Sequence, residues 1–460
     1  MKKTVFISAS LLLGILCTLA LKASLGLQAA VGLSALSAAI LLWISRVLPD
    51  YITALGLAVC FVLLAGVPGD IVFGAFSKPS LWLLLSAFGL SLCLSKSGLL
   101  KRLAEFLLRL FPKSFMGRVL GLMAIGFVSG PFVPSMSAKA AVFAPLTLSI
   151  CESSGYELKS RQSAGLFLAM MIAIRTPGPL FISASVNGYT LSGLLPQPYK
   201  DYFSMARWFI SAAPWFIIVV LLSLLALWFF YRPKNEKKTE ELAFSKSPEP
   251  MSRQEKQMAL IISLTMLLWM TESLHGIPAY IVSVTALCIA IGCGIISSKE
   301  FCSEMNWNAV LFIGVVLQIA SVFKFLGINE WLVQLFSPLF TFFAHKPYAF
   351  VLMLALSTLA LRFVIVSEIA LINIYMVFVI PFAMGMGINP WIACFSVYAV
   401  VCPWFCLYQS PVYLAAHYAC DGKLTKASQA AAGCGIYMSI SIIALLLSIK
   451  LWDGAGIFYI

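Results

Sequence analysis

Residues 126–150 read GFVSGPFVPSMSAKAAVFAPLTLSI, a stretch that is long and apolar enough to cross a membrane but is broken near its middle. Pro131 and Pro134 precede the pentapeptide SMSAK at 135–139, and proline disrupts a helix because it lacks a backbone N–H. The break predicts free backbone N–H groups, serine hydroxyls and a helix N-terminus at membrane depth, which together suit an anionic oxygen. The alternative is a kinked helix whose serines bond to their own backbone and whose Lys139 reaches outward to the membrane surface.

The composition identifies the class of protein to which this broken stretch belongs. Of 460 residues, 61% are hydrophobic and 11% are charged, and the mean hydropathy is +0.97. Soluble chains are about 45–50% apolar and about 25% charged, so this chain needs a lipid bilayer as its partner. Soluble enzymes, nucleic-acid binders and secreted disulfide scaffolds are excluded. Because backbone polar groups must be paired inside lipid, we predict an all-α polytopic membrane protein.

The distribution of charge predicts the orientation of the chain. The net charge is +13, and the long polar segment RPKNEKKTEELAFSKSPEPMSRQEK at 232–256 separates two apolar halves. Counting spans from a cytoplasmic N-terminus places this linker and about two thirds of the Lys and Arg residues in the cytoplasm, as the positive-inside rule requires. The C-terminus is then extracytoplasmic. Most of the positive charge therefore reflects orientation rather than the substrate.

The two halves share a spacing. Tyr51 begins an apolar span, and Gly98 later opens the amphipathic stretch GLLKRLAEFLLRLF. Tyr280 and Gly327, which opens GINEWLVQLFSPLF, repeat this pair at the same separation, so one constant offset relates both pairs. An odd number of spans between the copies would insert them with opposite orientations. Inverted repeats with broken helices are typical of secondary transporters, whose sites lie near the membrane midplane. The alternative is that two unrelated spans share a spacing by chance.

The sequence PSMSAKAA at 134–141 resembles the first signature hairpin of the divalent anion:sodium symporter (DASS) family. It is most similar to the branch of bacterial citrate/succinate carriers and plastid 2-oxoglutarate/malate translocators, in which the pattern reads Pro-Ser-x-Thr-Ala-Arg. Residues 77–108, 305–332 and 407–429 extend the resemblance over most of the chain.

The resemblance implies an architecture of about 11 transmembrane helices plus two re-entrant hairpins in two inverted repeats, with a transport domain that moves like an elevator against a dimerising scaffold. The expected divisions are N-terminal scaffold helices at 1–50, a first repeat at 51–231 with hairpin 117–150, the cytoplasmic linker at 232–256, and a second repeat at 257–460 with hairpin 347–388. We therefore expect a homodimer in the inner membrane of a bacterium.

The resemblance also assigns the hairpin tips to substrate and cation binding, and here the sequence departs from the family. In the first tip, Ser135 and Ser137 match the expected Ser and Thr, Met136 replaces a polar residue, and Lys139 stands where the translocators have Arg. These four residues are candidate substrate ligands. Met136 offers no oxygen from its side chain to a hard cation.

The second tip admits two registers. Spacing back from Gly387 and Pro390 aligns 367–370, SEIA, with the translocators' Ser-x-Thr-Ala, whereas spacing back from Pro381 places 371–373 there. The first register is preferred and makes Ser367 a substrate ligand and Glu368 a coupling candidate, whereas the second register makes Asn373 the coupling candidate at the tip. A carboxylate at this depth is a functional candidate by default, although Glu368 could instead neutralise Lys139 or Arg362.

Two further broken helices complete the candidate set. The stretch 173–191 contributes Ser183, Ser185 and Asn187, and the stretch 403–418 contributes Gln409 and Ser410. Arg175 is either a substrate cation or an ion-pair partner, and the sequence does not choose between these roles. If sodium binds, its expected place is near Ser135, Ser137 and Ser367.

The expected function is secondary active transport of small di- or tricarboxylates (succinate, malate, 2-oxoglutarate or citrate), by exchange or cation-coupled symport. The alternatives are a carrier of a sulfate-like inorganic anion and a membrane-embedded enzyme. The enzyme is disfavoured because the sequence shows no catalytic carboxylate pair, Ser/His pair or His-rich metal set. No cofactor is expected apart from a coupling sodium ion or proton. Strict dependence on sodium is not expected, since each tip lacks part of the oxygen ligand set that a sodium ion needs.

Overall fold

The computed structural model describes residues 2–45, 47–233, 250–343 and 346–459. Most of the predicted linker at 232–256 therefore lies outside the described residues, which resume at Pro250. Within the described ranges the chain forms helices and turns, with one isolated antiparallel bridge between Ile388 and Tyr459.

Twenty-five α-helices follow one another along the described chain. The N-terminal part and first half comprise α1 (Lys2–Leu25), α2 (Leu27–Ser45), α3 (Asp50–Leu63), α4 (Gly69–Val72), α5 (Pro79–Lys96), α6 (Leu99–Arg109), α7 (Phe115–Ser129), α8 (Met136–Ser153), α9 (Arg161–Arg175), α10 (Pro177–Leu180), α11 (Val186–Leu194), α12 (Gln197–Tyr202) and α13 (Met205–Tyr231). The second half comprises α14 (Arg253–Met270), α15 (Glu272–His275), α16 (Ala279–Gly292), α17 (Ser298–Glu304), α18 (Trp307–Val316), α19 (Ile319–Phe325), α20 (Ile328–Phe343), α21 (Pro347–Leu361), α22 (Glu368–Gly385), α23 (Pro390–Tyr398), α24 (Pro411–Ala419) and α25 (Ala427–Gly454). Short 3₁₀ turns occupy Gly74–Ser77, Gly130–Phe132, Ile182–Ala184 and Leu407–Gln409.

The prediction of an all-α polytopic membrane protein is confirmed. Eight helical segments of the described chain are long and apolar enough to cross a membrane, and a ninth is obtained if α5 and α6, which meet at a bend of 68°, form one span. Three further apolar helices, α3, α16 and α21, have 14 or 15 residues. The expected total of 11 spans thus depends on shorter helices also crossing.

The helices repeat in order between the two halves. Helices α3 and α16 begin at Asp50 and Ala279, which differ by the same offset as Tyr51 and Tyr280, and α8 and α22 begin at nearly that offset, at Met136 and Glu368. The turns before α6 and its counterpart α20 both contain a left-handed glycine, at position 98 (φ 81°) and position 327 (φ 71°). The shared spacing seen in the sequence is therefore a shared order of helices rather than a coincidence of two spans.

Contacts between the halves exchange partners. Helix α3 packs against α18 while its counterpart α16 packs against α5, and α8 packs against α24 while its counterpart α22 packs against α11. Such an exchange is what a two-fold relation between the halves produces. The counterparts α9 and α23 are both central, since α9 is buried from Ser163 onward and α23 along its whole length. The orientation of the two halves relative to the membrane stays a prediction.

Close packing holds the first hairpin against the buried helix α9. A Cβ atom added to Gly126 in α7 would lie 2.0 Å from the carbonyl oxygen of Ala173 in α9, far inside van der Waals contact. Only glycine lets α7 and α9 cross this closely. The crossing lies about one turn before the helix break and so fixes the position of the first hairpin tip.

Candidate functional site

Within the described residues, four helices that follow the predicted helix breaks each have a serine as their N-cap. These are Ser135 before α8, Ser185 before α11, Ser367 before α22 and Ser410 before α24. Each hydroxyl accepts a hydrogen bond from the backbone N–H three positions later: Ala138 (3.2 Å), Gly188 (3.4 Å), Ala370 (3.3 Å) and Tyr413 (3.1 Å). An N-terminus carries about half a positive charge, so four of them favour a negatively charged ligand.

A cavity of about 520 Å³ lies where three of these caps meet. Its helix-break side is formed by Ser135, Met136 and Ser137 of the first tip, Ser367 and Glu368 of the second tip, and Asn187 at the start of α11. The opposite wall is formed by α5, through Ser91 and Ser95, and by residues 304–306. Ser185 also lines the cavity, so seven of the twelve candidate residues named from the sequence surround one space.

Glu368 is the centre of a polar cluster beside this cavity. One carboxylate oxygen, Oε1, lies 3.0 Å from Arg175 Nη1 and 3.9 Å from Arg362 Nη2. The other, Oε2, accepts hydrogen bonds from Asn187 Nδ2 (3.0 Å) and Cys402 Sγ (3.1 Å). The side chains of the two arginines are 1% and 0% exposed and that of Glu368 is 14% exposed. Two arginines share one carboxylate, which leaves a net positive charge next to the cavity.

Arg175 links three of the four helix starts. Besides the ion pair with Glu368, it donates to the hydroxyl of Ser410 and lies 3.6 Å from the sulfur of Met136. Its Nε atom is buried and has no hydrogen-bond partner among the described residues. Of the two roles that the sequence left open for Arg175, the structure shows the ion pair.

Lys139 takes neither of the two positions that the sequence suggested, one as a substrate ligand in the cavity and one at the membrane surface. Its side chain is fully buried and does not reach outward, and it donates to the backbone oxygen of Ala184 at 3.2 Å, in the turn before α11. It does not line the cavity. Lys139 therefore ties the first hairpin to the first broken helix from behind the cavity wall. The ion-pair partner of Glu368 is Arg175, with Arg362 more distant, rather than Lys139.

Three other candidates lie behind the cavity wall. Gln409 accepts from the Phe405 backbone N–H (3.0 Å) and donates to the Arg362 carbonyl (3.4 Å), which shapes the second broken helix. Asn373 donates to the Ile369 carbonyl (2.8 Å) within α22. The side chain of Ser183 is buried in a 3₁₀ turn. These side chains stabilise the backbone around the tips without lining the space between them.

Arg362 has a comparable role in the second hairpin. It donates to the carbonyl oxygens of Ile365 (2.7 Å) and Val366, which follow the end of α21, and to that of Gln409. These bonds hold the backbone that leads into the second tip, so Arg362 fixes the shape of the hairpin as well as contributing charge.

Sequence reasoning missed two members of the cluster. Cys402 donates to Glu368, and Tyr398 is hydrogen-bonded through its hydroxyl to Ser185. Both lie in or just after α23, an apolar helix whose sequence carries no signal that these side chains face the tips.

Comparison with known protein families decides the relationship that the hairpin motif suggests. The family described as the sodium:sulfate symporter transmembrane region matches residues 2–458. The chain belongs to this family. The resemblance stated from the PSMSAKAA motif is thereby confirmed, since this is the family of divalent anion:sodium symporters.

Relatives in this family include the inner membrane protein YbhI of Escherichia coli, 25% identical over 300 residues, which are 64% of this chain and 63% of YbhI. The chloroplastic dicarboxylate transporter 1 of Arabidopsis thaliana is 26% identical over 273 residues, or 57% of this chain and 49% of that protein. The chain thus spans between about half and two thirds of the length of these relatives. The YdaH transporter of Alcanivorax borkumensis, described as having an unusual topology, has a similar fold (TM-score 0.59, 16% identity, 84% of this chain and 87% of that chain).

Proposed function

We propose that this protein is a secondary active transporter of small di- or tricarboxylate anions such as succinate, malate, 2-oxoglutarate or citrate. The observation that carries the proposal is the convergence of serine-capped helix N-termini and a net-positive arginine cluster on one cavity. A volume of about 520 Å³ falls within the range of about 300–1,000 Å³ that is usual for small-ligand sites. A carrier also accounts for two repeated halves with broken helices, whereas an enzyme would need a catalytic set that the sequence lacks.

The substrate carboxylate is proposed to bind at the first tip. There Ser135 and Ser137 face the cavity without an acidic neighbour on their own helix turn, and the N-terminus of α8 adds its dipole. Met136 contributes apolar contact beside them. At the second tip, Glu368 stands where the first tip has Met136, so a carboxylate is already present there. The second tip therefore offers the substrate the N-terminus of α22 and the positive field of the two arginines.

Glu368 is proposed to balance charge or to couple transport, which removes a strict need for sodium. In the family pattern a cation compensates the substrate's negative charge, and we propose that the two buried guanidinium groups beside the cavity serve this purpose here. Transport then proceeds by exchange or with protons. We further propose that the protein is a homodimer in a bacterial inner membrane with residues 232–256 on the cytoplasmic side.

A sulfate-like inorganic anion is the second candidate substrate, since the family's own description names sulfate. Helix N-termini bind sulfate and carboxylate oxygens by the same N–H groups. The cavity is larger than one such ion needs, which favours the carboxylates.

The decisive measurement is uptake into proteoliposomes of labelled succinate, malate, 2-oxoglutarate, citrate and sulfate, each with and without sodium and with and without the same anion inside. We expect saturable uptake of at least one carboxylate, stimulated by internal counter-substrate and retained in potassium. Uptake of sulfate alone would support the second candidate. Steep, saturable stimulation by sodium that potassium does not match and Glu368→Gln does not change would refute the coupling proposal.

A further inference from the structure

A second cavity of about 570 Å³ lies along α22, away from the substrate cavity. Met376, Ile380 and Met384 of α22 line it, whereas the second tip at Glu368 begins the same helix. At about 1.5 Å per residue, Met376 lies about 12 Å and Met384 about 24 Å along the helix from the tip. The second cavity is therefore a separate space, and none of the residues of the two tips line it.

The two repeats relate this cavity to the first one. The substrate cavity is lined from α5 by Phe88, Ser91, Leu92 and Ser95. The offset from Tyr51 to Tyr280 carries these four positions onto Leu317, Ala320, Ser321 and Lys324, all of which line the second cavity. The same offset relates Glu304, which lines the first cavity, to Ala75, which lines the second. The two spaces are equivalent ends of one two-fold related scaffold.

Their charges differ although their positions correspond. Asp50, Glu304 and Glu368 line the first cavity. The second is lined by Lys78, Lys200 and Lys324 and, among the described residues, by no acidic side chain. A lysine takes the place of Ser95, and an alanine takes the place of Glu304. The exchange of residues at these two equivalent positions adds a lysine to the second cavity and removes a carboxylate from it.

Two of the three lysines of the second cavity have no carboxylate close enough to neutralise them. Within the described chain, neither Lys78 nor Lys324 lies within 4.0 Å of a carboxylate, and Lys78 donates to the side-chain oxygen of Gln318 at 3.4 Å. A concave surface with charges of one sign attracts counter-ions. The second cavity is therefore suited to a small anion.

Lys200 contributes to the same positive field. Partial burial and the neighbouring charge of Lys78 lower the pKa of Lys200, as expected when cations of like charge lie close together. Asp201 acts on Lys200 in the opposite sense, but it does not line the cavity and it accepts hydrogen bonds from Gln197. An anion bound between the lysines would relieve their mutual repulsion.

We propose that the second cavity is an anion-binding vestibule, which captures a small carboxylate or sulfate anion on the side of the membrane opposite to the first cavity. Its transport role rests on the proposed function, because a carrier must expose its site to each side in turn. In the predicted orientation, Lys78, Lys200 and Lys324 are extracytoplasmic, against the usual distribution of Lys and Arg, and anion capture supplies a reason for them.

The test uses thiol reactivity, which reports local potential without reference to transport. Ser321→Cys places a thiol in the second cavity, and Leu92→Cys places one at the equivalent position in the first, each in a background whose native cysteines are replaced. Purified protein is treated separately with two methanethiosulfonate reagents. One carries a negatively charged sulfonatoethyl group and the other a positively charged trimethylammonioethyl group. At each position we divide the rate of thiol modification by the anionic reagent by the rate for the cationic reagent. We expect this ratio to be about tenfold higher at position 321 than at position 92.

Lys78→Gln together with Lys324→Gln should reduce the ratio at position 321 by about tenfold, and raised salt should reduce it in the parent. Lys101→Gln together with Lys450→Gln is the matched control, because it removes two exposed lysines that line neither cavity. An unchanged ratio in the Lys78/Lys324 variant, or an equal fall in the control, would contradict the proposal that the second cavity is an anion-binding vestibule.

Transport kinetics then test the capture step. Lys78→Gln/Lys324→Gln should raise the KM of a transported anion about tenfold from the side on which the second cavity opens, with kcat retained. An unchanged KM with a reduced thiol ratio would reject capture of substrate. If the parent protein transports none of the tested anions, the proposed function fails while the thiol measurement still decides the anion site.

Discussion

At the scale of single residues, Met136 and Glu368 occupy equivalent positions in the two hairpin tips, directly after the capping serine of α8 and α22. One is apolar and the other carries a charge, so the two-fold relation of the backbone does not extend to the chemistry. Within the described residues, Glu368 provides the only carboxylate that forms an ion pair with Arg175. The arginine cluster therefore contains one built-in negative charge before any substrate binds.

Removing this charge tests whether Glu368 serves only to pair with arginine. Glu368→Gln leaves the buried guanidinium of Arg175 without its carboxylate, which typically costs about 3–5 kcal/mol. We expect a lower thermal unfolding midpoint and loss of most carboxylate uptake. Arg175→Gln combined with Glu368→Gln removes both charges and should recover much of the stability.

The uptake of this double variant decides between the roles. We expect uptake to stay low, because neither charge balance nor coupling is restored. Recovery of uptake to the parental level would instead show that the ion pair between Arg175 and Glu368 stabilises the fold and has no role in transport. Glu152→Gln, which removes an exposed carboxylate that lines neither cavity, is the matched control and should fold and transport.

The capping serine of the first tip offers a second prediction at this scale. Ser135→Ala removes the acceptor for the Ala138 N–H, a loss of about 1 kcal/mol in helix stability, and also removes a hydroxyl from the cavity. We expect the KM for the transported carboxylate to rise about tenfold, as for one lost charge-assisted hydrogen bond. Ser114→Ala is the control, since Ser114 caps α7 through the same type of bond to Gly117 N–H and lines neither cavity. Equal KM values for the two variants would remove Ser135 from the site.

At the scale of elements, the close crossing of α7 and α9 positions the first tip relative to Arg175, which is the last residue of α9. The crossing works because Gly126 has no Cβ atom to collide with the backbone of Ala173. The N-terminal end of α8 and the guanidinium group are thereby held by the same pair of helices.

Gly126→Ala should separate these helices and so displace the first tip. A Cβ placed 2.0 Å from a backbone oxygen cannot be accommodated by side-chain movement, so a backbone shift at a cost of about 1–3 kcal/mol is expected. We predict a lower unfolding midpoint and at least about a tenfold fall in uptake. Gly56→Ala in α3 is the control, because a Cβ there meets nothing within 4 Å and should change neither quantity. An unaffected Gly126→Ala variant would show that the crossing is not needed.

At the scale of the whole molecule, the repeated order of helices and their exchanged contacts are what a two-fold axis between the two halves would produce. An axis in the membrane plane requires an odd number of spans between equivalent helices. The predicted cytoplasmic N-terminus and linker, with an extracytoplasmic C-terminus, satisfy this requirement.

Single cysteines at Lys238 and Ile460, both outside the described residues, test the topology. In a background without native cysteines, we expect membrane-impermeant thiol reagents to label the two positions from opposite sides of the membrane. A cysteine at Lys423 should label from the same side as the one at Lys238. Labelling of positions 238 and 460 from the same side would contradict the predicted odd number of spans between them, and therefore also the predicted inverted repeat.

The sequence by itself determined the membrane class and the helix breaks, because these depend on local properties. Apolar length requires helices in lipid, proline ends them, and serine after proline caps the next one. Seven of the candidate residues line one cavity, and each of them lies at or just after a helix break.

Only the tertiary structure decided how the charged side chains are paired. Lys139 lies one helical turn from Ser135, yet it points to the Ala184 carbonyl behind the wall, while Arg175 approaches a carboxylate in the other half of the chain. Tyr398 at the end of the apolar helix α23 and Cys402 shortly after it join the cluster, and no motif indicates either of them. Ion pairs inside a membrane protein form wherever packing brings opposite charges together, since an unpaired buried charge is costly. That choice depends on distances between helices, which local sequence patterns do not encode.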